Sequence, residues 1–235
     1  MAARIDFVEG WLVRRVGNPT GIARGAVFAA ALAVAGAWTG ARAEGALDCL
    51  SEQGHRDNDR RISGCTELIE QGGLAGEDLS VALATRALAY SLKGLYGQAV
   101  TDYDHAISLN PDFAVALNNR AWAYFRWGRA PRGLPDVERS LALNPTSPHS
   151  FDTRAHIRQS IRQPDAALAD YWQAIRYGGE QMIRLYQCGL AEHGLYKGKV
   201  DGQVRPELSE ALEQCVRKSD CDPLPADEQC RAATS

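Results

Sequence analysis

Residues 80–113 read SVALATRALAYSLKGLYGQAVTDYDHAISLNPDF and residues 114–147 read AVALNNRAWAYFRWGRAPRGLPDVERSLALNPTS. Set beneath one another without a gap, with residues 148–179 (PHSFDTRAHIRQSIRQPDAALADYWQAIRYGG) as a third row, they bring similar residues into columns spaced by 34. Arg86, Arg120 and Arg154 share one column, and Ala87, Ala121 and Ala155 the next. A small residue recurring on one helical face lets a neighbouring helix approach closely. Tyr90 and Tyr124 follow on the same face, while Arg158 breaks that column in the third row. After Gly94 and Gly128 a second helix is marked by the apolar stripe Ala99, Tyr103, Ala106 and Leu109. The second row keeps the stripe weakly as Gly133, Val137, Ser140 and Leu143, and the third restores it as Ala167, Tyr171, Ala174 and Tyr177. Asn110-Pro111 and Asn144-Pro145 end the second helices, because proline drives the preceding residue out of helical geometry, and Gly178-Gly179 ends the third. A period of this length belongs to stacked helical hairpins, so the predicted fold class is all-α.

The order small, aromatic, small, aromatic, small and proline resembles the tetratricopeptide repeat across residues 80–179. The resemblance implies a right-handed array of antiparallel helical hairpins (80–113, 114–147 and 148–179) whose first helices line a concave groove for a protein or an extended peptide. Alanine stands where the family has a first-helix glycine in all three rows, and Pro131 and Pro135 make the second helix of the second row the least secure element. Groove positions implied by the resemblance are Ala84, Thr85 and Leu88, then Asn118, Asn119, Trp122 and Phe125, then Asp152, Thr153 and His156. Asparagine offers donors and acceptors to a peptide backbone, and an exposed tryptophan is an effective anchor. A core position is the alternative for Trp122. His149 and His156 share a face with Asp152 and Gln159, where a solvated helix surface is expected and a polar groove or weak metal site is the alternative.

At the front of the chain, Arg4, Arg14, Arg15 and Arg24 precede an uncharged apolar run from Gly25 to Trp38, which ends in the small-x-small signature Ala41-Arg42-Ala43. The run is shorter than the roughly 20 apolar residues that span a bilayer. Residues 1–43 are therefore expected to be an export signal, with the membrane a partner only if the segment stays uncleaved. They hold five arginines against Asp6 and Glu9, so their loss takes the net charge from −3 to −6. A nucleic-acid partner needs a concentrated basic surface and is excluded on that ground.

All six cysteines (Cys49, Cys65, Cys188, Cys215, Cys221 and Cys230) follow the export signal, and an even number in an oxidising compartment favours disulfides. Extending the 34-residue frame backward puts Cys65 in the column of Ala99, Gly133 and Ala167, with Cys49 near the start of the preceding helix. Residues 44–79 thus read as a degenerate capping hairpin stapled by Cys49–Cys65. Closing a loop of this size contributes about 3 kcal/mol.

Residues 180–218 read as a helix through His193, a glycine-rich loop and a second helix from Pro206, the placement proline favours. Gly194, Tyr196, Gly198, Val200, Asp201 and Gly202 resemble the core signature of the peptidoglycan-binding domain. The likeness is confined to this stretch and departs from the family at Cys188, Leu208 and Cys215. It implies a helix-loop-helix end unit that either caps the array or contacts cell wall near Gly194, Tyr196, Gly198, Asp201 and Gly202. A Cys188–Cys215 bridge across this hairpin and a local Cys221–Cys230 bridge in the tail, residues 219–235, are the expected pairings. Cysteine pairs at zinc spacing, a phosphate loop, a nucleophile elbow and a histidine pair at metal spacing are all missing from the sequence, so no catalytic residue, metal or cofactor is expected. The functional expectation is a non-enzymatic protein–protein interaction scaffold in the cell envelope, periplasmic or secreted. The alternatives are a peptidoglycan-associated binding module and a non-catalytic regulator of an envelope enzyme.

Overall fold

A computed structural model describes residues 48–50, 57–218, 220–225 and 230; the expected export signal and part of the capping hairpin lie outside them. The described residues form helices and connecting turns, with no strand among them. Two compact units divide at Pro111 and Asp112.

In the unit that ends at Pro111, the described helices are α1 (Asn58–Glu70), α2 (Gly76–Leu92) and α3 (Tyr96–Leu109). Asp57 caps α1, its carboxylate accepting hydrogen bonds from the amides of Asp59 and Arg60 at 2.9 and 3.2 Å. Cys49 is bridged to Cys65 of α1, with their Cα atoms 4.6 Å apart. Both cysteines are buried together with Ala82, and Leu68, Ile69 and Leu74 pack around them. Lys93, in the turn after α2, pairs with Asp59. Gly94 takes φ +75°, a left-handed conformation that reverses the chain into α3. Asn110 caps α3 with extended angles (φ −136°, ψ 87°), as the following proline requires.

From Asp112 onward the unit comprises α4 (Ala114–Arg126), α5 (Ala130–Leu143), α6 (Pro148–Ser160), α7 (Pro164–Glu192) and α8 (Pro206–Val216). Helix α5 forms despite its prolines. Pro131 sits in the first turn, where an N–H has no intrahelical partner anyway, and α5 runs through Pro135 to Leu143. The small-residue columns close the α4–α5 contact so tightly that a Cβ on Gly133 would lie 2.7 Å from the Ala121 carbonyl oxygen. Helix α7 carries the chain past the expected end of the third hairpin, bending at Gly179 (φ 60°, ψ −148°). The expected boundary is therefore a kink between the hairpin's second helix and the end unit's first. One core runs across it, from Ala155, Tyr171 and Ile175 through Tyr186 and Leu190 to Leu208, Leu212 and Leu224.

The cysteine tail belongs to that core, and this corrects two expected bridges. Cys188 is joined to Cys230, and Cys215 to Cys221, in place of Cys188–Cys215 and Cys221–Cys230. The reason is the path of the chain. Beyond α8 it turns at Lys218, whose amide donates to the Cys215 carbonyl at 2.9 Å. That turn brings Cys221 to a Cα separation of 5.3 Å from Cys215. The tail then crosses α7, and Cys230 reaches Cys188 at a Cα separation of 5.5 Å.

The arginine column has a partner column. Arg86 chelates Asp102 through Nε and Nη2 at 2.7 and 2.9 Å, Arg120 chelates Asp136 at 2.7 and 2.7 Å, and Arg154 chelates Asp170 at 2.9 and 2.7 Å. Each pair ties the first helix of a hairpin to its own second helix. The carboxylates are largely buried, and bidentate geometry is what makes such a pair specific. The hydrogen bond to Asp102 pushes the Arg86 guanidinium above its ordinary pKa, against the opposing effect of burial.

Candidate functional site

The face with the densest polar chemistry lies on α6. Ser147 caps this helix, its hydroxyl accepting from the Ser150 amide at 3.2 Å, and Pro148 occupies the first turn. That start sets Asp152, His156 and Gln159 on one side at helical spacing. They do not form the solvated surface expected from their polarity. His156 is only 3% exposed, enclosed by the rings of Trp122, Phe125 and Tyr171 and met by Asp222 of the C-terminal tail. Its Nδ1 lies 2.8 Å from the Asp152 carbonyl oxygen, and its Nε2 lies 2.8 Å from Oδ1 of Asp222 in the tail. The Asp152 carboxylate accepts from the Tyr186 hydroxyl at 2.7 Å. Tyr171 stands edge-on to both His156 and Tyr186, with centroid distances of 5.2 and 5.5 Å.

Gln159 holds backbone rather than side chains. Its Nε2 faces the carbonyl oxygens of Cys215, Lys218 and Cys221 at 3.3, 3.2 and 2.7 Å, while its Oε1 accepts from the Tyr171 hydroxyl at 2.9 Å. On the tail, the Leu224 amide donates to Oδ1 of Asp222 at 2.9 Å and the Asp222 amide to Nε2 of His193 at 3.3 Å. Pro223, Leu224 and Pro225 are buried. They lie directly on α7 at Gly189, where a Cβ would strike the Pro223 carbonyl oxygen and sit 2.7 Å from that of Leu224.

Helix α4 supplies the aromatic side. Trp122 and Phe125 are half-buried, with ring centroids 5.2 and 5.5 Å from His156, and the Arg126 guanidinium lies 5.6 Å from the Trp122 ring. Trp122 therefore packs on the core edge and also faces the polar cluster. A cleft of about 360 Å³ stays open beside the tail, lined by Phe125, His156, Gln159, Ser160, Arg162 and the segment Asp220 to Asp222. Arg162 occupies the column of Gly94 and Gly128 and adopts the same left-handed conformation, φ 64° against 75° and 71°. For a residue with a Cβ that conformation is strained.

The other expected groove residues are distributed as follows. Asn118 is buried, its Nδ2 donating to Oδ1 of Asn119 at 3.2 Å, and its own Oδ1 has no protein partner among the described residues. Asn119 is half-buried. Thr153 is fully buried, with no partner for its hydroxyl among the described residues. In the unit before Asp112, Thr85 and Leu88 are buried, and the Thr85 hydroxyl donates to the Val81 carbonyl at 2.8 Å.

The loop of the end unit is organised by Gln187, the glutamine that the resembled signature places in the first helix of the hairpin. Gln187 is fully buried; its Oε1 accepts from the amides of Asp201 and Gly202 at 3.0 and 2.9 Å. Its Nε2 faces the Tyr196 hydroxyl and the Gln203 carbonyl at 3.1 and 3.0 Å. The signature residues serve this loop. Tyr196 is buried and donates to the Lys199 carbonyl at 2.9 Å, Gly194 and Gly202 take φ +70° and +76°, and a Cβ on Gly198 would lie 2.5 Å from the Tyr196 hydroxyl. Asp201 chelates Arg205 at 2.6 and 2.7 Å; that hydrogen bonding holds the carboxylate well below the usual range and pushes the guanidinium up.

The polar groups of α6 close the molecule on itself, Gln159 holding the carbonyls at the end of α8 and of Cys221 and His156 meeting the Asp222 carboxylate. Ser160, the hydroxyl on the cleft, donates to the Ile157 carbonyl at 2.6 Å. Sequence reasoning missed Gln159 as a backbone clamp and Asp222 as the partner of His156, since neither lies in a repeated column. The Asp102, Asp136 and Asp170 column was visible in the sequence at the same spacing as its arginines.

Comparison with known families gives two matches, both described as tetratricopeptide repeat. One spans residues 81–113, which covers most of α2 and all of α3, and the other spans residues 102–134. No curated protein matches the chain. The two matches support a tetratricopeptide repeat protein, and repeats of this kind support a protein–protein interaction scaffold.

Proposed function

We propose that the chain is an exported scaffold of the cell envelope that binds a protein, through an extended segment, on the concave side formed by α4 and α6. The observation that carries this reading is the half-exposed pair Trp122 and Phe125 on α4, an aromatic anchor of which Phe125 lines the open cleft beside α6. An envelope location is supported by the cysteine chemistry, since Cys49–Cys65, Cys188–Cys230 and Cys215–Cys221 are paired and such bonds persist in oxidising compartments. Control of an envelope enzyme, without chemistry of its own, is one form such a scaffold takes.

Cross-linking the tagged full chain in its native envelope tests the reading. A specific protein should be captured by the wild type and lost with the pair Asn119→Ala and Trp122→Ala; equal capture by both refutes this face. Cell-wall association draws support only from the loop of residues 194–202, whose signature side chains are occupied in holding the loop. Sedimentation with purified peptidoglycan tests it, and a chain left in the supernatant ends that alternative.

A further inference from the structure

The hydrogen bond that joins Asp222 of the tail to α6 requires a proton. His156 Nδ1 lies 2.8 Å from the Asp152 carbonyl oxygen, which only accepts, so that nitrogen carries a hydrogen. Nε2 lies 2.8 Å from Oδ1 of Asp222, an oxygen that already accepts from the Leu224 amide at 2.9 Å. An ionised carboxylate also only accepts. Between two acceptors the imidazole has to donate from both nitrogens, which its protonated form alone can do. We propose that His156 and Asp222 form a proton-operated latch, closed while the pair holds its proton and opened by deprotonation, which sets how firmly residues 220–222 are held along the cleft of about 360 Å³.

The groups in contact with the ring favour the cation. On α6 itself the Asp152 carboxylate has an oxygen 3.4 Å from Nδ1, and it accepts from the Tyr186 hydroxyl of α7 at 2.7 Å. The tail adds Asp222 against the ring and Asp220 on the cleft. Tyr171 of α7 and Trp122 and Phe125 of α4 present uncharged rings. Burial opposes the charge, as do two exposed arginines, Arg126 against the Trp122 ring and Arg162 on the cleft wall. His193 of α7 meets the same Asp222 in the opposite sense: its Nε2 accepts the Asp222 amide at 3.3 Å, which it does only while that nitrogen is unprotonated. A solvated histidine gives up its proton at about pH 6.5. The folded pair keeps it, so the latch contributes fully below that pH and is lost as pH rises through the pair's own, higher value. The bond is charge-assisted, and its loss weakens the contact at least about tenfold. The bridges Cys215–Cys221 and Cys188–Cys230 confine the opening to the tail segment between them. Phe125 lines the same cleft, so under the interaction-scaffold reading the latch tunes that binding face, while the latch itself does not depend on that reading.

Long-range proton–nitrogen NMR of the full oxidised chain reads the ring directly. At about pH 6 both His156 ring nitrogens should show protonated shifts, and the titration midpoint should lie about one unit above the ordinary histidine value of about 6.5, the tenfold preference expressed as pH. Asp222→Asn should bring the midpoint back by that tenfold, whereas His193→Ala should leave it in place. Overhauser contacts between the His156 ring and Asp222 should be present below the midpoint and lost above it. The Leu224 amide resonance should step at the same midpoint in the wild type and stay flat there in His156→Gln. A neutral ring at about pH 6, a midpoint at or below about 6.5, or contacts that persist above the midpoint overturns the latch. A midpoint moved by His193→Ala as far as by Asp222→Asn overturns it too. Should a variant fail to fold, the wild-type titration decides alone. Failure of the titration leaves envelope capture through Asn119 and Trp122 standing, and failure of that capture leaves the latch standing.

Discussion

Gly133 poses a conflict between repeat statistics and packing that one substitution resolves. Its column holds alanine in the flanking rows, at Ala99 and Ala167, both fully buried. Column logic therefore recommends Gly133→Ala, and helix propensity agrees, giving about 1 kcal/mol for alanine over glycine in a helix interior. The structure opposes it. The new Cβ would stand 2.7 Å from the Ala121 oxygen, 2.9 Å from the Ala121 Cα and 3.1 Å from Cδ1 of Ile157. Ordinary contacts between such atoms begin near roughly 3.5 Å, so α4 and α5 must separate by more than half an ångström. Two of the three atoms are backbone and cannot swing aside. Overpacking of this kind costs about 1–3 kcal/mol, which outweighs the propensity gain and leaves a net loss of about 1 kcal/mol. Urea denaturation followed by circular dichroism should show a lower midpoint at unchanged slope, and the melting temperature should fall by about 2–4 °C. A rise in stability of Gly133→Ala would refute the argument, showing that the close α4–α5 approach relaxes without cost.

Gln187→Leu should destabilise the end unit by about 2–4 kcal/mol, because the amides of Asp201 and Gly202 lose their acceptor inside the fold; hydrogen exchange of those two amides should accelerate first, and unchanged exchange would count against the hub. Asp136→Ala should cost about 2 kcal/mol by leaving the largely buried Arg120 guanidinium without its chelating carboxylate; a double-mutant cycle with Arg120→Ala in urea melts should return a coupling of at least about 1 kcal/mol. Acid should spare the loop of residues 194–202 until late. The Asp201 carboxylate is depressed in the fold by Arg205, so its contribution is present above the unfolded aspartate value of about 3.9 and is lost only as pH falls through the lower folded value. Titrating the Asp201 carboxylate by NMR should find it still ionised at the pH where an ordinary aspartate is half protonated, and Arg205→Ala should return it to the normal range. Peptide mapping without reduction should recover Cys188 linked to Cys230 and Cys215 to Cys221; a Cys188–Cys215 fragment would overturn the path assigned to the tail.

What repeats in this chain is legible, and what occurs once is not. Packing between helices imposes the same small residue at the same register in every hairpin, so Ala87, Ala121 and Ala155 announce the fold before any contact is known. The same logic reaches the electrostatics, since Arg120 faces Asp136 as Arg86 faces Asp102, and both columns can be read off the sequence at one spacing. The end of the array follows no such rule. A final hairpin has one open face, and whatever covers it must come from outside the period. Here that is a tail far along the chain, and no register connects Gln159 to the carbonyls of Cys215 and Cys221 or His156 to Asp222.

The same distinction explains the cysteines. Cys65 stands in a repeat column, so its surroundings follow from those of Ala99 and Ala167. Cys188, Cys215, Cys221 and Cys230 belong to the segment that closes the array, and their pairing depends on where the chain goes after Lys218. A polar face left bare at the end of the array needs partners for its buried donors and acceptors, and the end of α8 and the tail supply them. The last repeat thus commits His156 and Gln159, which no period predicts as structural, to satisfying the segment that closes the array.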